Sequence, residues 1–318
     1  MRKGSLEFWP HRRAHKQTPR MRSWPSSAEP SFLGFAAFKA GMTHVTMIDD
    51  SDSPSKGSEV SRAATLLEIP ELHVYGIRTY TKKYEYKEPA KDYLDQNLAK
   101  KLHMKNVSNT VDKLPDPSTF TDVTALVFID PTNLGIANKR IKRMEIAVGG
   151  KNVQEKADFI KNWIGKSVKI TNVLGVGDYI DVKSITVGKG WAGVVKRFGV
   201  ATQGRKATGK RRHLGVMGAW HPAKVLYTVP HAGHMGYNYR TELNKRVLKI
   251  GSANDAKEVN VSGGFLNYGV IKNDYIMVDG SIPGPSKRFV RIRKALRNTH
   301  AKKEPKVTYI SVASKQGS

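Results

Sequence analysis

Several short stretches carry residue types at spacings that could do chemistry. Gly188-Lys-Gly-Trp-Ala-Gly193 satisfies G-x-G-x-x-G and follows a strand-like run. A dinucleotide site also needs a helix behind the glycines and an acid about 20 residues further on for the ribose. Here Lys196, Arg197, Phe198 and Gly199 follow, and the next acid is Glu242. Gly204-Arg-Lys-Ala-Thr-Gly-Lys210 is one residue short of a phosphate-binding loop, because the position that should hold magnesium with a hydroxyl is Arg211. His231-x-x-His234, and His11 with His15, have metal-ligand spacing, but the chain has no cysteine and a closed site would need distant ligands. No G-x-S-x-G nucleophile elbow occurs. These residues predict neither a cofactor, nor a metal, nor catalysis.

Gly218-Ala-Trp-His-Pro222 is a different kind of motif. It sits inside residues 182–241, which contain no Asp or Glu, eleven Lys or Arg, ten Gly and six aromatics. An aromatic flanked by Gly, Ala and Pro there has little apolar company with which to build a core. One reading folds Trp220 back onto the protein body; the other makes it a rigid tip that wedges between or stacks on RNA elements.

Two shorter regions share the charge bias. Residues 1–24 hold seven basic side chains against Glu7, and 280–303 hold eight against none. The three windows contribute +6, +11 and +8, so 108 residues supply 25 of the 27 excess positive charges. Residues 25–181 are nearly balanced, with 21 basic and 20 acidic side chains. Like charges crowded within a Debye length repel unless a polyanion neutralises them. Arg interleaved with Trp, Phe, Tyr, His and Gly suits phosphate contacts, base stacking and close backbone approach, which favours nucleic acid. An anionic membrane surface and a plain solvated face are the alternatives for such charge runs.

The elements that must position these windows read as follows. A Pro- and Ser-rich linker, Trp24 to Ser31, precedes strand-like runs at Phe32–Phe38, Thr43–Ile48, Ala63–Ile69 and 72–80. Leu94, Leu98 and Leu102 recur at i+4 and predict an amphipathic helix over 91–105. Val123–Ile129 and Met144–Val148 read as strands, and Val153–Ile164 again has helical spacing. This alternation predicts an α/β unit, roughly 77–160, inserted into a β protein. Strand signals return at Val168–Ile170, Tyr179–Val187, Arg246–Ile250, Tyr275–Val278, Phe289–Ile292 and Val307–Val312. Short strands split by turns and insertions favour a closed barrel. The start, Met1–Pro10, lacks the apolar run of a signal peptide, and no 18 consecutive apolar residues predict a membrane helix.

The same residues carry a family resemblance. Gly4-Ser-Leu-Glu-Phe-Trp-Pro-His-Arg-Arg-Ala14, Phe32-Leu-Gly-Phe with Lys39-Ala-Gly-Met-Thr-His44, Gly218-Ala-Trp-His-Pro-Ala223, Arg240-Thr-Glu-Leu-Asn-Lys245 and the run Phe265 to Val290 resemble the universal third protein of the large ribosomal subunit, in its archaeal and eukaryotic form. The match spans essentially the whole chain. It implies a mainly β fold: a six-stranded translation-type β-barrel, an inserted α/β domain, and long basic N-terminal and central extensions that reach through rRNA toward the peptidyl-transferase centre. The expected segments are an N-terminal extension (1–30), barrel parts at 31–76, 161–191 and 245–318, the insertion at 77–160 and the central loop at 192–244. By the same resemblance Trp220 and His221 fall at the loop tip. Twelve residues earlier, where eukaryotic members commonly carry a histidine that can be methylated, this chain has Thr208.

Charge and resemblance together assign RNA contacts to Arg2, Lys3, Arg12, Arg13, Lys16, Arg20 and Arg22 in the N-terminal window. In the central window they assign Lys196, Arg197, Arg205, Lys206, Lys210, Arg211, Arg212, His213, Trp220, His221, Lys224 and Arg240. The C-terminal window adds Lys287, Arg288, Arg291 and Arg293. The expected partners are large-subunit rRNA and neighbouring ribosomal proteins, with no membrane and no small-molecule substrate, in the cytoplasmic large subunit. The competing class is an RNA-modifying or processing enzyme whose arms hold substrate.

Overall fold

The structure is a computed structural model that describes residues 5–83, 86–87, 90–102, 104, 109–111, 114–116, 119–207, 209–298, 300–314 and 316. The fold is mainly β. Its contacts divide the chain into two units, one made of Met1–Gln17 with Ile185–Arg240 and the other of Thr18–Ser184 with Thr241–Ser318.

The larger unit begins with two long strands, β1 (Gly34–Ile48) and β2 (Glu59–Ile69), paired antiparallel around the loop 49–58. Two runs that read as separate strands, at 32–38 and 43–48, therefore form one strand with a register shift between Lys39 and Gly41. Gly41 is required there, because a Cβ would stand 2.5 Å from the Phe265 ring. Next come β3 (Leu72–Tyr80), the short pair β4 (Lys82–Lys83) and β5 (Tyr86–Lys87), β6 (Lys91–Leu94), α1 (Gln96–Lys101), β7 (Asp122–Ile129), β8 (Lys142–Ala147), α2 (Val153–Trp163) and β9 (Ser167–Val168). The chain then passes through β10 (Tyr179–Ile185), and β11 (Trp191–Ala192), α3 (Val194–Phe198) and β12 (Gly233–His234) lie in the smaller unit. It ends with β13 (Tyr239–Gly251), β14 (Asp274–Asp279), β15 (Phe289–Lys294) and β16 (Val307–Ile310).

Seven strands pair in the order β15-β10-β13-β14-β2-β1-β16, and β1 also pairs with β15. Six of them thus return on themselves. One half of β1 faces β15, with Gly34 opposite Arg293, and the other half faces β16, with Val45 opposite Ile310. Phe35, Leu67, Ile180, Val247, Ile276 and Val290 are among the buried side chains of these strands that make up the main core. Glu68 is also fully buried, and among the described residues no cation bonds it. Its carboxylate instead accepts from the Tyr268 hydroxyl (2.5 Å), the Lys272 and Asn273 amides (2.9 and 3.0 Å) and Asn273 Nδ2 (2.8 Å). Those four donors satisfy the charge and pin the loop before β14.

The second sheet runs β6-β3-β7-β8, with β9 on β3. Alternation along β7 sends Val123, Ala125 and Val127 into the main core, where Ile160 of α2 is also buried. Leu126 on the other face joins Tyr75, Leu94, Ala99 and Leu102 in a small cluster. The helix expected over 91–105 is shorter than its spacing predicts. Lys91–Leu94 pair with β3, and the Asp95 side chain caps α1 by accepting from the Leu98 amide at 3.0 Å. Leu94 and Leu102 still meet, as the spacing implies, but from a strand and a helix end.

Candidate nucleic-acid interface

In the smaller unit the N-terminal segment and the base of the central loop are bonded to each other. The Ala14 amide donates to the Tyr237 carbonyl (2.9 Å), and the Tyr239 hydroxyl donates to the Lys16 carbonyl (2.7 Å). Trp9 lies 6.0 Å from Phe198, stacked, and 6.1 Å from Tyr227, edge-on, with His11 4.7 Å from Trp9. The imidazole of His11 is held below its ordinary pKa by burial and then by the charges of Arg197, Arg240 and His234. β11 pairs with β12, and just after β12 the chain bends at Gly236 with φ +74°, where a Cβ would collide with the Val187 carbonyl.

Two expected contact residues are occupied with this scaffold. Arg197 donates to the His234 and His231 carbonyls (3.1 and 2.7 Å) and its guanidinium lies 5.1 Å from the Phe198 ring centre. Both carbonyls of the His231-x-x-His234 pair therefore serve as acceptors for one Arg. Arg240 sits 4.3 Å over Phe8 and donates to the Tyr239 carbonyl (2.8 Å). Burial lowers the pKa of both guanidiniums, and for Arg240 the Glu7 charge opposes it.

Beyond this base the loop is open. Arg205, Lys206, Lys210, Arg211, Arg212, His213, His221 and Lys224 are exposed, as are Arg12, Arg13, Lys16 and Lys196. Trp220 is 87% exposed, so it does not fold back onto the protein. Val216, Met217, Val225, Leu226 and Tyr227 are exposed around it. Trp191, on β11, is 80% exposed and was not singled out for RNA contact from the sequence, although it stands within the Gly-rich run 188–193. Arg2, Lys3 and Thr208 lie outside the described residues.

In the larger unit Arg22 and Lys287 are exposed and Arg288 is half-buried. The exposed Arg20 reaches Glu145 with its Nε at 3.1 Å. Arg291 and Arg293 correct the sequence reading: they are 2% and 5% exposed. Arg291 donates to the Pro19 carbonyl at 3.1 Å and to the Glu145 carbonyl, and burial pushes its pKa down to about 10. Arg293 grips Asp181 through Nε and Nη2 at 2.9 and 2.8 Å. Neither has a donor surface to offer a phosphate.

The profile of the family Ribosomal protein L3 matches residues 1–124 and 105–317. The chain belongs to that family. It is 42% identical over 328 residues to the large ribosomal subunit protein uL3 of Methanobrevibacter smithii, covering 99% of this chain and 98% of that one. It is 41% identical over 329 residues to the uL3 of Methanothermobacter thermautotrophicus, with the same coverage. To the uL3 of Methanopyrus kandleri it is 39% identical over 333 residues, covering 99% and 91%. All three organisms are archaea, which agrees with the archaeal-type L3 motifs at both ends and in the middle of the chain.

Two consequences can be measured on this L3 chain without RNA. Amides bonded at the base of the smaller unit, such as Ala14, Lys189 and Met235, are expected to exchange slowly. Amides of residues 209–227 are expected to exchange near the intrinsic rate, because little apolar burial offsets their chain entropy. Hydrogen exchange on the free protein checks this; strong protection across 209–227 would contradict it.

Proposed function

We propose that this chain is a structural component of the cytoplasmic large ribosomal subunit, with no catalysis of its own. It binds large-subunit rRNA and sits among neighbouring ribosomal proteins. The observation that carries this reading is the open central loop, with its cations and Trp220 exposed on an acid-free segment. We read the six mutually paired strands as a translation-type barrel, interrupted by an inserted α/β domain. The proposed segments are 1–30 and 192–244 as extensions, 77–160 as the insertion, and 31–76, 161–191 and 245–318 as barrel parts. The extensions neutralise phosphates where rRNA helices pack and reach toward the peptidyl-transferase centre, with Trp220 and His221 at the tip.

Fractionation tests this directly. A structural component stays with the large subunit through high-salt washes, whereas an enzyme that turns over on RNA is released.

Trp220→Ala is expected to leave the protein folded and incorporated while loosening the rRNA around the tip. A buried Trp→Ala costs ~3–5 kcal/mol, but Trp220 is exposed. Loss of a stacking contact costs roughly 1–3 kcal/mol at one point. Thermal unfolding of the free variant and chemical probing of rRNA in assembled subunits check both halves. A large fall in Tm with unchanged rRNA reactivity would place Trp220 in a core.

A further inference from the structure

The face of the second sheet turned away from α2 is apolar at one end, where α1 covers it, and polar at the other. Register puts Arg78 opposite Thr124 and Tyr80 opposite Asp122. Glu145 of β8, opposite Leu126, shares that face. This polar end forms one wall of a cavity of about 630 Å³, whose lining includes Arg20, Arg22 and Trp24 from the segment that leads into β1.

Three features say what the cavity is suited to hold. Arg22 is exposed and the Arg20 side chain is 70% exposed, so two guanidiniums stand at the mouth. Lys183 lies in the same cationic neighbourhood, its ammonium pushed below its ordinary range by burial and then by Arg22, Arg293 and Arg291. Thr124 is 6% exposed, lines the cavity, and its Oγ1 has no hydrogen-bond partner. A buried hydroxyl left unpaired is costly, and a ligand that bonds it removes that cost. The carboxylates in the lining can only accept. Glu145 already takes Arg20, Arg78 (2.9 Å) and the Tyr80 hydroxyl (2.8 Å), while Asp122 is paired with Lys156 (2.9 Å) and its side chain is 49% exposed.

We infer that this cavity takes a single nucleotide of RNA, its phosphate at Arg20 and Arg22 and an amino-bearing base inside, within reach of Thr124 and Asp122. The indole of Trp24 supplies an apolar wall for the base, as aromatic side chains do for unstacked nucleotides. The inference rests on the RNA-binding reading above, but adds a site on the inserted sheet, away from the acid-free loop.

The experiment follows the Trp24 indole N–H resonance of the full chain, one of five Trp in the sequence, assigned by its loss in Trp24→Phe. The titrants are CMP, UMP, inorganic phosphate and a five-residue oligocytidylate. CMP is expected to shift the resonance, UMP to bind at least about threefold more weakly for want of the amine, and the oligomer at least about tenfold more tightly than CMP. Thr124→Val keeps the shape, removes the unpaired hydroxyl and is expected to fold. It should weaken CMP binding roughly three- to tenfold. No shift, equal effects of CMP and UMP or of CMP and phosphate, an unchanged Thr124→Val, or CMP as tight as the oligomer would each overturn the assignment. Binding of large-subunit rRNA, measured on the same protein, separates the two failures: if it persists only the cavity is wrong, and if it is absent the RNA-binding reading falls too.

Discussion

Replacing Arg205, Lys206, Lys210, Arg211 and Arg212 together by Gln is expected to flatten the salt dependence of rRNA binding by about 3.5–4.5 in log–log slope. Each cation that neutralises a phosphate releases roughly 0.7–0.9 of a counterion, and the slope counts those releases. All five side chains are exposed. The bond found for them within the protein is the long one from Arg211 Nε to the Gln203 carbonyl at 3.4 Å. Their removal therefore takes little from the fold. Between 50 and 200 mM salt the unaltered protein should lose roughly 100- to 500-fold more affinity than the variant. Filter binding across that range measures it, with thermal unfolding as the control. An unchanged slope would mean that these side chains do not touch the RNA backbone.

Why this loop was legible in the sequence, and much else was not, follows from the range of the interactions. A 60-residue stretch without acid cannot pair its cations locally, so its exposure is written in composition. Trp220 had two readings, and composition could not choose between them; its exposure excludes the one that folds it back onto the protein body. The strands were legible because period-2 alternation is local, as in Val123, Ala125 and Val127 of β7. The failures are long-range. Leu94 fits a helical stripe with Leu98 and Leu102, yet its backbone is claimed by Gly76 on β3, a partner that helical spacing cannot reveal. The aromatic contacts of Trp9 with Phe198 and Tyr227 join residues about 190 to 220 positions apart, and the charge windows alone treat them as separate arms.

The cationic residues of β15 illustrate the same limit at the candidate site. In Phe289–Lys294 the alternation of Val290, Arg291, Ile292 and Arg293 reads as one apolar face and one cationic face. The acid-free window 280–303 that holds them assigns both Arg side chains to RNA. The closed pairing of the strands leaves their apolar side to the core, and the other side is covered as well. Pro19, 272 residues from Arg291, and Ser23, 270 residues from Arg293, supply that cover, while Asp181 pairs with Arg293 from the neighbouring strand, 112 residues away. No local pattern records an acid and a carbonyl at such separations.

Asp181→Ala is accordingly expected to destabilise the protein by about 3–5 kcal/mol, the cost of leaving a buried charge without its partner. Asp181 is fully buried, and its carboxylate does more than balance Arg293. Oδ1 accepts the Asn244 amide at 3.0 Å, and Oδ2 accepts the Leu296 amide at 3.1 Å as well as both Arg293 nitrogens. Arg293 in turn spends Nη1 on the Ser23 carbonyl and hydroxyl, at 2.5 and 2.7 Å. Removing the carboxylate leaves a guanidinium that is 5% exposed and two backbone amides without acceptors. Arg20→Ala provides the contrast: its partner Glu145 keeps Arg78 and Tyr80, and Arg20 itself is largely exposed. With Arg20 largely in solvent and Glu145 still paired without it, the bond is expected to be worth at most about 1 kcal/mol. Urea unfolding at constant m-value compares the two. Similar losses for both variants would mean that the Asp181–Arg293 pair is no more than a surface bridge. A double change to apolar residues, Asp181→Leu with Arg293→Met, should recover part of the loss by removing the stranded charge, though the amides of Asn244 and Leu296 remain unpaired.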